Sequence, residues 1–408
     1  MTMIIGIIAT PAFKKPRTGV EEYTYQLIKH LTMLEESKKH CFILYSQDNT
    51  EFDFKLPKNF KIKILRWQLP MWTQLRLSYE LLKRKPDVLF SPLGPLPLIY
   101  PKKLVVTLHG LEYEYLPKAY KRFNRYYIRY NNKRSLKRAK KIIAISEATK
   151  RDLVKLYKGD VDKISVVCHG IASVIPDFPS VIPAKAGIYN LDSRFRGNNR
   201  EGGGNDKEES GNDKYILYLG RIETKKNIQG LIKAFNLLKQ KYNVLHKLVL
   251  AGMKGWDFDK VVQLCHCEER PKGATWQSCG SKQSTDFILK NDDIIITGYI
   301  SEDQKWQLLQ NADCFAFPSF YEGFGIPILE AQKVGCPILT SNVSSMPEVA
   351  GDGAVLVNPN NIEEICEGLY KIISDENFKK NLIKKGHENV ENFSWLKCTK
   401  KTLQVITK

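Results

Sequence analysis

The chain has 408 residues, 43 % of them apolar, with 63 Lys and Arg against 44 Asp and Glu, a formal net charge of +19. That length exceeds one hydrophobic core and predicts two domains with ample apolar material for burial. The charge fits nucleic acid, an anionic membrane surface or a phosphorylated small substrate, and by itself separates none of them.

The composition does exclude some classes. No apolar run reaches the roughly 18 residues of a spanning helix, and the opening "MTMIIGIIATPAF" turns polar too soon for one or for a secretory signal. A soluble, cytoplasmic protein is therefore expected. Nine cysteines, an odd number without a repeated CxxC, read as reduced thiols rather than a disulfide framework. Cys265, His266 and Cys267 are adjacent and lack chelating spacing, so no metal is expected there.

In chain order, "MIIGIIA" predicts a strand, followed by a loop and "GVEEYTYQLIKHLTML", whose apolar residues recur at helical spacing. The unit repeats at "CFILYS", "PDVLFSPL", "KLVVTLHG", "KKIIAIS" with "EATKRDLVKLY", and "ISVVCHG". Near-continuous Ile, Val and Leu in these runs suits strands covered on both faces of a parallel α/β sheet. The same grammar restarts at "YILYLGR" and continues through "HKLVLAG", "DDIIITGYI", "CFAFPS", "CPILTS" and "AVLVNP". The expected fold class is α/β, two Rossmann-like doubly wound parallel-sheet domains, with ligands outside the carboxyl ends of the strands and in the cleft where the domains face each other.

The boundaries expected are residues 1–175 for the first domain and 214–392 for the second. A helix over 393–408 is expected to pack back on the first domain. Between the domains, 176–213 is a polar, glycine-rich tract with recurring Gly-Asn-Asn and Gly-Asn-Asp, unable to bury enough surface to order itself. This tract and "CHCEERPKGATWQSCGSKQS" at 265–284 resemble translated palindromic repeat elements, and read as passengers in surface loops. A regulatory linker is the alternative.

The stretch "FYEGFGIPILEA" at 320–331 carries the chemistry. Gly323 and Gly325 permit close backbone approach to a ligand, and Pro327 suits the first turn of a helix. A strand end, a glycine turn and a helix start together offer free N–H groups and a positive dipole end to an anion. Glu330 falls in the opening turns of that helix, placed to accept hydrogen bonds from a diol, and Glu322 lies in the loop. Two surface glutamates beside a capped helix are the plain alternative. In "LGRIETKKN", Arg221 ends a strand and Lys226 precedes a helix, a planar fork and a mobile point charge that together suit a diphosphate. Asp257 and Asp259 in "WDFDK" form an Asp-x-Asp pair at a helix start, where capping is the expected role rather than metal binding.

With these residues in view, the chain resembles the retaining glycosyltransferases of family 4, of GT-B fold, over nearly its whole length outside the two intrusions. Glu322 and Glu330 fall on the family's Glu-x7-Glu motif after its P-S-x-x-E-G-F-G turn, and "SSMPEVAGDGAVLVNP" matches its continuation. The resemblance implies that Glu330 binds the nucleotide ribose. It places Glu322 and the backbone of Gly323, Phe324 and Gly325 on the donor sugar, and Arg221 and Lys226 on the donor diphosphate. It also places Gly19, in "PRTGVEEYTYQL", near the donor phosphate or acceptor, and His109, in "VTLHG", beside the reacting sugar. Gly19 departs from the family's commoner double glycine.

The resemblance leans toward mannosyltransferase-like members of surface polysaccharide assembly. It implies a hexosyl transfer from a nucleotide-diphosphate sugar, GDP-mannose first and a UDP-sugar otherwise, to a saccharide or lipid-linked saccharide acceptor. No further cofactor, no metal and no covalent intermediate on Glu322 are expected. A nucleotide-sugar epimerase and a non-catalytic nucleotide-binding module are the rival readings. From Tyr113 to Lys141 the chain packs eleven Lys or Arg among six tyrosines. An anionic membrane surface, on the inner face of the plasma membrane, is the partner this pattern favours over nucleic acid. A solvated helix face with its tyrosines turned inward is the third reading.

Overall fold

The structure, a computed structural model, describes residues 2–14, 17, 19–48, 51–171, 214–255, 257–264, 289–290 and 293–408. The expected intrusions at 176–213 and 265–284 lie outside these residues. The described chain divides into two compact units. One is built on the residues up to Ile171 together with Glu322–Ile326 and Asn392–Lys408, the other on the residues from Lys214 to Tyr321 and Pro327–Glu391.

The first unit runs β1 (Ile4–Ile8), α1 (Gly19–Leu31), β2 (Cys41–Ser46), β3 (Phe60–Ile64), α2 (Arg76–Lys83), β4 (Val88–Ser91), β5 (Lys103–Leu108), α3 (Glu112–Tyr115), α4 (Arg122–Arg138), β6 (Lys141–Ala144), α5 (Glu147–Tyr157) and β7 (Ile164–Val166). The strands form one parallel sheet in the order β3-β2-β1-β4-β5-β6-β7. All four residues of β4, Val88 to Ser91, are buried, as helices on both faces require. β3 went unpredicted: its Phe-Lys-Ile-Lys-Ile alternation is a period-2 signal of an edge strand, only partly buried.

The second unit runs β8 (Tyr215–Leu219), α6 (Ile228–Tyr242), β9 (Lys247–Ala251), α7 (Phe258–Leu264), β10 (Leu289–Lys290), β11 (Ile294–Gly298), α8 (Glu302–Asn311), β12 (Cys314–Phe317), α9 (Ile326–Lys333), β13 (Ile338–Ser341), α10 (Met346–Ala350), β14 (Val355–Val357), α11 (Ile362–Ser374) and α12 (Glu376–Val390). Its sheet has the order β10-β11-β9-β8-β12-β13-β14. Every pairing is parallel except β10 with β11, which is antiparallel and departs from the all-parallel expectation. An edge position tolerates that reversal, because only one neighbour must be matched. Helix starts here are capped by side chains: Ser301 forms a capping box with Gln304, and Asn361 and Asp375 accept from the first-turn amides of α11 and α12.

The chain closes with α13 (Trp395–Thr407), which belongs to the first unit and packs along α1. Its Trp395, Cys398, Leu403 and Ile406 join Tyr23, Leu27, Ile28 and Leu31 of α1 and Ile5 and Ile7 of β1 in one core. Truncating Leu403 to Ala should therefore destabilise the protein by about 2–5 kcal/mol. Urea unfolding of Leu403→Ala measures this, and a loss below about 1 kcal/mol would show that α13 is not part of that core.

Candidate active site

Both sheets reverse direction at an internal pair of strands. In the first, the chain leaves β1 toward β2 and β3, then returns to β4 on the other side; in the second it leaves β8 toward β9 and β11, then returns to β12. Loops that follow such a pair diverge from the carboxyl edge and open a crevice there. The predicted site residues of each unit sort onto these edges.

In the first unit, His109 follows β5 directly and is half-buried. Its Nε2 lies 2.7 Å from the Pro92 carbonyl oxygen, just past β4. A carbonyl only accepts, so Nε2 carries the proton and Nδ1 remains an acceptor. Burial pushes the His109 pKa down from 6.5 to about 4, with the Pro92 hydrogen bond and the Glu21 charge opposing it. The imidazole is thus neutral near pH 7. Beside it opens a cavity of about 290 Å3, lined among others by Thr107, His109, Gly110, Tyr127 and Asn131. The Tyr23 ring meets His109 edge-on at 5.0 Å between centroids, and its hydroxyl bonds Thr107 Oγ1 at 3.1 Å.

The turn Glu322–Ile326 groups with this unit, although it lies in sequence within the second. The reason is local bonding. The Gly323 carbonyl accepts from Ser146 Oγ at 2.8 Å and from Thr149 Oγ1 at 3.3 Å, both at the start of α5. A Cβ on Gly323 would stand 1.8 Å from the His109 carbonyl oxygen, so only glycine fits. Gly325 has φ +104°, a conformation that favours glycine.

Phe324 is 4 % exposed, with its ring 4.9 Å from His169 and 5.9 Å from Phe393. Its side chain therefore anchors the turn, and only its backbone remains to meet a ligand. Glu322 is half-buried in the turn, and Gly19 opens α1 with nothing within 4 Å of a Cβ placed there.

Sequence reasoning gave His169 no role. It is 3 % exposed, stacks on Tyr23 at 4.8 Å and on Trp395 at 5.6 Å, and has no hydrogen-bond partner on either ring nitrogen among the described residues. Burial pushes its pKa well below the usual histidine value. Nothing in "ISVVCHG" distinguishes it from an exposed histidine; its surroundings are built from four segments distant in sequence.

In the second unit, Arg221 stands two residues past β8, exposed, with no ion-pair partner among the described residues. Lys226 ends the short turn Thr224–Lys226, and its Nζ sits 5.4 Å from the Phe317 ring centroid at the end of β12. β8 and β12 are neighbours, and the Phe320 N–H donates to the Lys225 carbonyl at 3.2 Å, so the two loops are tied at the reversal point. Glu330 lies on α9, with Oε1 2.7 Å from Lys305 Nζ. The Asp257 carboxylate takes the Thr224 hydroxyl at 3.2 Å and the Lys260 ammonium at 3.3 Å, immediately before α7.

The low His109 pKa has a consequence for stability. Between pH 6.5 and about 4 the unfolded chain binds a proton at this residue that the folded chain does not, so stability falls as pH drops through that window. Replacing His109 by Asn removes that contribution. Urea unfolding at intervals from pH 7 to pH 4 should give a shallower loss for His109→Asn than for the parent, and equal slopes would contradict the assignment.

Comparison with known proteins gives a consistent result. Residues 17–173 match the family model described as Glycosyltransferase Family 4, and residues 204–389 match that of Glycosyl transferases group 1. The O-antigen chain mannosyltransferase B of Escherichia coli is 27 % identical over 412 aligned residues, covering 97 % of this chain and 98 % of the relative. Among solved structures, sucrose-phosphate synthase from Thermosynechococcus elongatus has a TM-score of 0.68 at 16 % identity, covering 98 % of each chain. HepE from Anabaena, in complex with UDP-glucose, has a TM-score of 0.66 at 14 % identity, covering 99 % of each chain. With two parallel-sheet units, each reversing strand direction at an internal pair, and family models matched in both halves, the chain belongs to glycosyltransferase family 4 and is a glycosyltransferase of GT-B fold.

Proposed function

We propose that the protein transfers a hexosyl group, mannose, from a nucleotide-diphosphate sugar to a hydroxyl of a saccharide or lipid-linked saccharide, with retention at the anomeric carbon and without a metal. The observation that carries the nucleotide half of this reading is the placement of Arg221 and Lys226 at the β8–β12 reversal, on loops tied by the Phe320–Lys225 backbone bond. Mannose is supported by the relative named a mannosyltransferase, similar over nearly the whole chain.

In this reading Glu330 accepts from the ribose hydroxyls, and the two cations face the diphosphate. Cleavage of the sugar-phosphate bond puts negative charge on the departing diphosphate and positive charge on the anomeric carbon. Cations already in place stabilise the former without reorganisation. Neutral His109 offers Nδ1 as an acceptor to a sugar hydroxyl, and Glu322 with the Gly323–Gly325 backbone meets the donor sugar. The acceptor hydroxyl attacks on the face that the diphosphate leaves, and Glu322 forms no covalent bond.

The test combines donor, acceptor and variant. GDP-mannose with a mannose-terminated acceptor should give product of the donor's anomeric configuration by NMR. Lys226→Ala should lower kcat/KM by about ten- to hundredfold, the equivalent of one charge-assisted contact. Conversion of the sugar with no acceptor present would replace this reading by an epimerase, and a trapped glycosyl-Glu322 adduct would overturn the mechanism.

A second part of the reading concerns where the acceptor is met. Among the described residues no helix is long and apolar enough to cross a membrane. α4 nevertheless exposes Phe123, Tyr126, Tyr127 and Tyr130 to solvent, against the reading that turned its tyrosines inward. Gln74 Nε2 contacts the Tyr127 hydroxyl at 3.3 Å, and Leu69, Met71 and Leu75 near it in sequence are also exposed. Glu114 pairs with Arg125 and Arg129, while Lys121, Arg122 and Lys137 are exposed with no ion-pair partner among the described residues. Exposed aromatics and aliphatics flanked by unneutralised cations suit an anionic bilayer surface. The protein should sediment with vesicles containing anionic lipid and not with zwitterionic ones, and Phe123→Ser with Tyr126→Ser should weaken that binding severalfold. Equal recovery with both vesicle types would discard the membrane contact.

A further inference from the structure

Lys305, on α8, is a part-buried cation that the reading above leaves unused. Its Nζ lies 2.7 Å from Glu330 Oε1 and 2.7 Å from Glu302 Oε2, and 4.7 Å from the Trp306 ring centroid. The two carboxylates are not equivalent. The Glu330 and Lys305 side chains are 15 % and 17 % exposed, whereas Glu302 is 78 % exposed and keeps its water. A carboxylate as enclosed as Glu330, deprived of its ammonium partner, would swing toward solvent, and that movement takes its acceptor oxygens away from the site.

Lys305 prevents this. Its ammonium engages Oε1, and Oε2 carries no hydrogen bond from the described residues. The carboxylate is thus anchored through one oxygen, with the other open to a further donor. The anchoring matters because vicinal hydroxyls on a five-membered ring are themselves rigid. Two donors fixed relative to one another can both reach a carboxylate only if its plane is fixed as well, which an exposed, freely rotating glutamate does not supply.

We propose that Lys305 is a positioning residue for the nucleotide, fixing the orientation of Glu330 so that its carboxylate accepts from the two ribose hydroxyls. The proposal rests on the reading of Glu330 as the ribose acceptor. Glu302, 78 % exposed and free to keep its water, shares the ammonium without being enclosed by the fold.

The experiment titrates GDP and 2′,3′-dideoxy-GDP, with UDP and its dideoxy counterpart alongside, into the full chain and into Lys305→Met, Lys305→Arg and Glu302→Gln by calorimetry. The parent should bind the ribonucleotide about tenfold more tightly than the dideoxy form, the scale of a hydrogen bond to a charged group. Lys305→Met should bind the ribonucleotide about tenfold more weakly than the parent does, yet bind the dideoxy form as the parent does, so that the ribose preference disappears. Retained dideoxy affinity also shows that the variant is folded. Glu302→Gln should keep the parent's preference, and Lys305→Arg should keep part of it, which holds the comparison open should the methionine variant not fold. If Lys305→Met keeps the full ribose preference, the positioning role is wrong and the ribose reading of Glu330 stands. If the parent itself shows no ribose preference, that reading fails and takes the role of Lys305 with it.

Discussion

The close approach of the residue 323 backbone to the His109 carbonyl is the constraint on which the geometry of the first unit depends. The 1.8 Å that would separate a Cβ from that oxygen leaves no side chain an alternative to glycine. Two hydroxyls at the start of α5 then hold the Gly323 carbonyl, and Gly325 at φ +104° turns the chain into α9. Each contact is local and modest, worth about 0.5–1.5 kcal/mol as a hydrogen bond. Together they fix the backbone of the turn that carries Glu322, so its position is set by that turn rather than by its own side-chain preference.

Charge is distributed with a comparable logic. In the second unit, Arg221 is exposed without an ion-pair partner among the described residues, and Lys226 rests against the Phe317 ring at the β8–β12 edge. Glu330 of that unit pairs with Lys305. In the first unit His109 is neutral. Burial disfavours imidazolium at His109 by more than the Pro92 carbonyl restores, which keeps Nδ1 an acceptor throughout the neutral range. An imidazolium there would present donors on both nitrogens and lose the ability to accept from a hydroxyl.

Much of this was legible in the sequence because parallel sheets covered on both faces write themselves as short apolar runs. All six strands read in each half are present, from Ile4–Ile8 to Val355–Val357. Two strands, each at one edge of its sheet, were missed for the complementary reason: β3 alternates and is half-exposed, and β10 has two residues. Glycines and cations in the site were legible because their chemistry is visible one residue at a time. Phe324 was only half read, since its place in a motif says nothing of which way the ring points. Lys305 and His169 were invisible because each acquires its environment from segments remote in sequence: α9 lies 25 residues from Lys305, and Trp395 more than two hundred from His169.

His169 shows how distant packing reaches the site. An imidazole with both nitrogens unsatisfied costs about 1–3 kcal/mol in a buried setting. It persists because it is stacked between Tyr23 and Trp395 and covered by Phe324, a set of ring contacts that no polar residue could replace. Trp395 is held in turn by the close backbone approach of Gly170, where a Cβ would stand 2.0 Å from the Trp395 nitrogen, and by the bridge between Ile171 and Ser394. The start of α13 is therefore in direct contact with the ring that seats Phe324, and Phe324 sits between the two glycines of the turn. Helix packing at the carboxyl terminus and the position of the glycine turn are two readings of one aromatic cluster. Loosening either should loosen the other, since rings in a dense interior have few intermediate arrangements.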